Sequence, residues 1–169
     1  MAAKTGTYTL IASNTLGSSA ASVTFSSIPS TYTDLVLVVN GYQVTTGYFD
    51  IQVGNGSVDT AGNYSHTRLI GYSGGVLSDR SSNVSNFVQP TIGTAERGTV
   101  LINFLDYANT TTYKTAIHRN NEGGLGVGVE VGLWRSTAAI NQIKISGGSG
   151  SNFASGSTFK LYGIEAGNL

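Results

Sequence analysis

The longest regular alternation in the chain is Leu125 to Trp134, L-G-V-G-V-E-V-G-L-W. Leu125, Val127, Val129, Val131 and Leu133 recur at a period of two, which predicts a strand with that face in a core. The opposite face carries Gly126, Gly128, Glu130, Gly132 and Trp134. Repeated glycine weakens a strand interior, so another backbone or ring is expected flush against that face. Two covers fit: a neighbouring loop of the same subunit, or a second subunit. On the second, Gly126, Gly128, Gly132 and Trp134, together with Phe87, form a candidate subunit or partner interface.

The same period places the other strands. Tyr8 and Leu10 alternate with Thr7 and Thr9, and Val23 and Phe25 follow a polar turn. Pro29 closes that second strand, because proline has no amide hydrogen for the ladder. Leu35 to Val39 is apolar on both faces and predicts a central strand covered on both sides, and Val100 to Tyr107 reads alike. Phe49, Ile51 and Val53 point away from Asp50 and Gln52, and Asn55-Gly56 signals a turn. Weaker or shorter alternations at His66–Tyr72, Tyr113–Arg119, Ile140–Ile145 and Thr158–Ile164 add further strands. No stretch has the period of an amphipathic helix. About ten short strands separated by turn signals predict an all-β fold, a two-sheet antiparallel β-sandwich that is jelly-roll-like. One domain covers 1–169, with a long irregular loop near 73–97 that is rich in Ser, Asn and Gly. Phe87 and Val88 are expected to pin this loop to the body or to a neighbour.

Composition narrows the function classes. The 169 residues suffice for one domain with a real core. Only 11% are charged, against about a quarter in ordinary soluble domains, so neutral polar groups must solvate the surface. Nine Tyr, six Phe and zero formal charge exclude disorder. Nine basic residues, nowhere clustered, balance nine acidic ones, which argues against nucleic acid as a partner. No apolar run is long enough for a membrane-spanning helix. The first residues, Met1 to Gly6, lack the apolar core of a signal peptide, which predicts folding in a cytoplasm. With 0 Cys there are no disulfides and no thiolate metal sites.

Candidate chemistry is sparse. His66 and His118 are the two histidines, and a structural role is expected for both, with His118 outward or at a rim. Asp50, Asp106 and Glu130 sit on predicted strands, but glycoside hydrolysis needs two carboxyls at a set separation in a cleft. Asp59 and Asn63 lack the ligand spacing of a calcium loop. No metalloprotease, nucleophile-elbow, phosphate-loop or dinucleotide motif occurs. The chain therefore reads as no enzyme, with no catalytic residue, metal or cofactor. Tyr42, Tyr48, Tyr64, Tyr72 and Trp134 fall at strand ends or on polar faces, where aromatic rings stack on sugars, anchor interfaces or simply pack across strands.

Several stretches carry a resemblance. Tyr8-Thr9-Leu10-Ile11, Val23 to Pro29 and Tyr32 to Leu37 resemble the opening of a recurrent family of jelly-roll virion structural proteins of tailed bacteriophages, cyanophages among them. Gly62-Asn63-Tyr64-Ser65 is similar to that family's turn after the fourth strand, and Phe153 to Ile164 to its closing strand. Val53-Gly54-Asn55-Gly56 departs from the Asn-Gly-Asp sequence frequent there. The resemblance implies a virion component, first a capsid decoration (cement) protein on the outer capsid surface, assembled in the host cytoplasm. Its implied partner is the major capsid protein, and its implied state a homo-oligomer, with a trimer favoured. The alternative is a tail-fibre or tail-tip module binding a host surface glycan. These motifs are framework residues and imply no site residue.

Overall fold

A computed structural model describes residues 7–45, 47–94, 96–122 and 126–165. Twelve strands follow in chain order: β1 (Tyr8–Thr15), β2 (Ser22–Phe25), β3 (Asp34–Gly41), β4 (Phe49–Asn55), β5 (Ser57–Val58), β6 (Tyr64–Tyr72), β7 (Gly75–Val84), β8 (Gly98–Leu105), β9 (Lys114–Glu122), β10 (Gly126–Trp134), β11 (Gln142–Gly147) and β12 (Thr158–Ile164). They form an eight-stranded sheet, order β1-β12-β3-β8-β9-β10-β6-β7, and a four-stranded sheet, order β2-β11-β4-β5. Every pairing is antiparallel. The expected all-β, jelly-roll-like sandwich is the architecture found. Among the described residues no helix is long and apolar enough to cross a membrane.

Period-two patterning builds the core. Phe49, Ile51 and Val53 of β4 join Val23, Phe25, Ile143 and Ile145 on the inner face of the small sheet. Leu35, Leu37, Val39, Val100, Ile102, Phe104, Phe159 and Leu161 meet them from β3, β8 and β12. Their burial is the main driving force for closing the two layers. At the β4–β5 hairpin, Gly56 takes φ 75°, the conformation that its Asn-Gly sequence favours.

Four strands cannot cover eight. Over β9, β10 and β6 the missing cover comes from Asn86 to Ile92, a strap along the free edge of β4. Phe87 N–H donates to Ile51 O (2.7 Å), Ile51 N–H to Val88 O (3.1 Å) and Phe49 N–H to Pro90 O (3.0 Å). Phe87 and Val88 are wholly buried, so they pin the strap to its own body. The irregular loop expected near 73–97 is thus corrected in its first half. Gly75–Val84 is the edge strand β7, in register with β6 from Tyr72↔Gly75 to Tyr64↔Val84. Its side chains are mostly polar and solvent-exposed, so it shows no apolar period; the backbone ladder holds it, with a two-point Arg68–Asp79 ion pair across to β6.

The alternation on β10 holds, with its faces reversed. Val127, Val129 and Val131 point to solvent, whereas Glu130, Gly132 and Trp134 are buried; Leu125 lies outside the described residues. The cause is the closeness of the strap. A Cβ on Gly132 would overlap the Phe87 carbonyl and lie 2.8 Å from both the Phe87 ring and Val88 Cγ1. Only a bare backbone fits there, so the glycine face is the one turned inward. The expectation that Leu35–Val39 and Val100–Tyr107 are covered on both sides is likewise corrected. Outward Val36 is shielded by its neighbours on the same face, Val38 and Leu101 are half-buried, and Leu105 is exposed.

Gly132→Ala is expected to cost about 1–3 kcal/mol by overpacking. Gly128→Ala should cost less, because its nearest neighbour is a side-chain atom, Asn120 Oδ1 at 2.7 Å, rather than a backbone carbonyl. Denaturant unfolding of the two variants beside the parent chain measures the difference; equal losses would place the strap farther from β10.

Candidate functional site

Of the five residues proposed as an interface, Phe87, Gly132 and Trp134 are buried within the chain and Gly126 and Gly128 are half-buried. Phe87 is wholly buried against Tyr64 and Phe104, with ring centroids 5.8 and 6.0 Å away. Trp134 is 3% exposed, stacks on Tyr64 at 6.4 Å and donates its indole N–H to Asp59 (2.8 Å). A Cβ on Gly126, which has φ 141°, would overlap the Gly71 carbonyl of the neighbouring strand. Gly128 faces Asn120, and Gly132 faces the strap. The interface assignment is therefore corrected for Gly132, Trp134 and Phe87, which the chain buries within itself, while Gly126 and Gly128 are half-buried beside the neighbouring strands β6 and β9. Trp134 and Tyr64 are core residues, removed from any sugar-stacking surface. Asp59 is no open calcium ligand, because its carboxylate already accepts from Trp134, Asn63 and Ala61 N–H. Those bonds outweigh its burial and hold its pKa below the usual range.

Beneath the strap lies a polar cluster. Glu130 of β10 is 1% exposed, with His66 Nδ1 at 3.3 Å from Oε1 and His118 Nδ1 at 3.3 Å from Oε2. The three come together because β6 and β9 flank β10 and all three side chains share its inner face. The rim position expected for His118 is thus corrected to a buried one. The cluster fastens the strap along its length. Gln89 N–H donates to Glu130 Oε2 (3.0 Å), His66 hydrogen-bonds the Asn86 main chain, and Asn120 Nδ2 donates to Thr91 Oγ1 (2.6 Å). On its far side, Asn86 Nδ2 (2.9 Å) and Gln89 Nε2 (3.0 Å) both donate to Asp50. Asp106 belongs to a separate place, a turn after β8 where it has φ 47°.

The separations in the cluster are those of ion pairs, but the imidazole nitrogens make no aligned hydrogen bond to the carboxyl group. Burial therefore prevails and disfavours every charge. It pushes the Glu130 carboxyl up to about 7, against the pull of Gln89 N–H. It pushes His118 down to about 4, despite the Asn120 contact, and lowers His66 as well. The recess beside the cluster holds no water-sized space, and among the described residues no three His, Asp or Glu are placed to hold a metal ion.

The outward face of the large sheet is unlike the rest of the surface. Cross-strand partners share a face, so the register gives two rows across it. One runs Lys160–Val38–Leu101–Arg119–Val129–Leu69–Ser78. The other runs Leu10–Tyr162–Val36–Asn103–Ile117–Val131–Thr67–Arg80. Leu10, Ile117, Val129, Val131 and Leu69 are exposed, Val131 and Leu69 by 49% each, and Val127 adds 60% beside them. No sequence signal marked this surface, because the same valines read as core.

The pH response of the cluster has a definite sign. Glu130 binds its proton more tightly folded than unfolded, so its stabilising contribution is complete below about 4.5 and lost as pH rises through about 7. The histidines, lowered in the fold, oppose this: their contribution is present above about 6.5 and lost as pH falls, for His118 through about 4. Glu130→Gln keeps the shape without the charge. Its stability relative to the parent chain should rise between pH 4.5 and 7, by at most about 1.4 kcal/mol per pH unit, and then level off. Unfolding measured at pH 5, 6, 7 and 8 tests this; a constant difference would show that folding leaves the Glu130 pKa unchanged.

No protein-family model matches the chain, and no curated protein sequence matches it. Among solved structures, a toad ovary galectin in complex with thio-digalactose aligns over 84% of this chain and 98% of its own, with TM-score 0.40 and 10% identity. CG-16, a homodimeric agglutinin from chicken liver, aligns over 82% and 98%, with TM-score 0.36 and 10% identity.

Proposed function

We propose that this protein is a virion structural protein, a capsid decoration protein that docks on the outer capsid surface through the outward face of its eight-stranded sheet. The observation that carries the reading is the apolar character of that face, where Leu69, Ile117, Val127, Val129 and Val131 stand exposed on adjacent strands. Contiguous exposed apolar surface of this kind marks contact sites in soluble proteins. The resemblance of the opening and closing strands to tailed-phage virion proteins supplies the partner, the major capsid protein. Docking adds free energy only to the assembled shell, by removing apolar surface from water, and so stabilises the shell by linkage. The reading as a glycan-binding tail module has less support, since Trp134 is buried.

The purified protein is expected to bind expanded shells of the phage that encodes it in saturable amount. Val131→Asp, which puts a charge in the middle of the face, should weaken binding at least about tenfold, or roughly 1.4 kcal/mol, without lowering the unfolding temperature. Sedimentation of protein with shells measures both. Binding to host cells but not to shells would reject the decoration reading.

A further inference from the structure

The outward face of the large sheet is sided in charge as well as in polarity. The chain as a whole is neutral, with 9 basic and 9 acidic residues. Yet the charged residues that the register turns outward on this sheet are Lys160, Arg119, Arg80 and Asp34. Asp34 is engaged, accepting Asp106 N–H at 2.7 Å. Lys160, Arg119 and Arg80 are exposed and, among the described residues, make no ion pair or hydrogen bond within the chain. By contrast Asp50, Asp59, Asp79 and Glu130 are occupied elsewhere by side chains and amides of this chain. Three free cations therefore stand in or beside an apolar band, while Asp50, Asp59, Asp79 and Glu130 are engaged away from it.

Between two of these cations the band has a recess of about 260 Å³ lined by Tyr8, Tyr162, Val36, Val38, Leu101 and Arg119, among others. Tyr8 and Tyr162 meet edge to face, with centroids 6.4 Å apart, and Lys160 lies in the same row as Val38, Leu101 and Arg119. The space suits one large apolar side chain, with a guanidinium beside it.

From this arrangement we infer the chemistry of the partner surface: an apolar patch bordered by carboxylates, which seats one apolar side chain in the Tyr8–Tyr162 recess and pairs its acids with Arg119, Lys160 and Arg80. A second copy on the same face would bring three cations and a single carboxylate, Asp34, whose Oδ1 already accepts Asp106 N–H, so a different protein, richer in carboxylates, is the occupant. This rests on the decoration reading and specifies it: the shell protein must be acidic where it contacts this face. Complementary charge of this sort acts on encounter rate and specificity, and weakens with salt.

The test uses the whole protein and expanded shells of its phage, at about 50 mM and about 500 mM salt, the range over which screening changes strongly. Arg119→Glu and Lys160→Glu should each weaken binding at least tenfold at low salt, with the deficit shrinking at high salt. Tyr162→Ala should weaken it at both. Carbodiimide, which joins amines to carboxylates, should link Lys160 to Asp or Glu of the shell protein. Unfolding temperatures equal to the parent's confirm that the variants fold. If the parent binds shells but the charge reversals bind as tightly, the acidic partner is overturned while the decoration reading stands. If the parent does not bind shells, both fall. Concentration-dependent dimerisation that Val131→Asp abolishes would instead assign the face to a second copy and overturn the inference.

Discussion

The strap from Asn86 to Ile92 decides which side of the large sheet is inside. It crosses β10 so closely that Gly132 can carry no side chain, and it is tied to β4 by main-chain bonds at Phe49 and Ile51. With that contact made, the glycine row of β10 must face inward, and the valines of the same strand must face out. The interior cluster and the exterior apolar band are two results of one packing choice. A small sheet of four strands needs such an extension to close over a sheet of eight.

The strap is held in a way that suits a lid over polar residues. Apolar anchoring comes from Phe87 and Val88, while Glu130, Asn120 and Asp50 hold its central amides and side chains. Glu130 and the two histidines face one another at 3.3 Å, and burial disfavours the charged form of all three. Buried polar networks of this type cost stability and fix a unique arrangement, here the register of the strap on the sheet. Lys114, nearly buried at the other end of the inner face, is satisfied in the same spirit by the carbonyls of Thr112 (2.6 Å) and Thr137 (3.2 Å).

Much of the fold is legible in the sequence. Clean alternation at Phe49–Val53 and a shorter one at Thr158–Ile164 identify both strands and their inward faces, and Asn55-Gly56 marks the β4–β5 hairpin. Alternation fixes that β10 is a strand but leaves open which face is inward. The rule that apolar residues go inside fails there, because backbone proximity outranks side-chain hydrophobicity when no room exists. The glycine row did point to a closely packed neighbour, and the plainer of its two covers, a segment of the same chain, is the one present. Strand β7 was illegible because an edge strand solvated on both faces needs no apolar period. The meeting of His66, Glu130 and His118 depends on strands from three parts of the chain, and no spacing in the sequence signals it.

The chain contains 0 Cys, so single cysteines report burial without interference. The most direct measurement is the labelling rate of Val131→Cys against Ala116→Cys with a maleimide under native conditions, since the first position is exposed and the second wholly buried. Rapid labelling at position 131 and protection at 116 is the predicted result. Protection at 131 with labelling at 116 would mean that β10 and its neighbour turn their other faces outward, and would contradict the account.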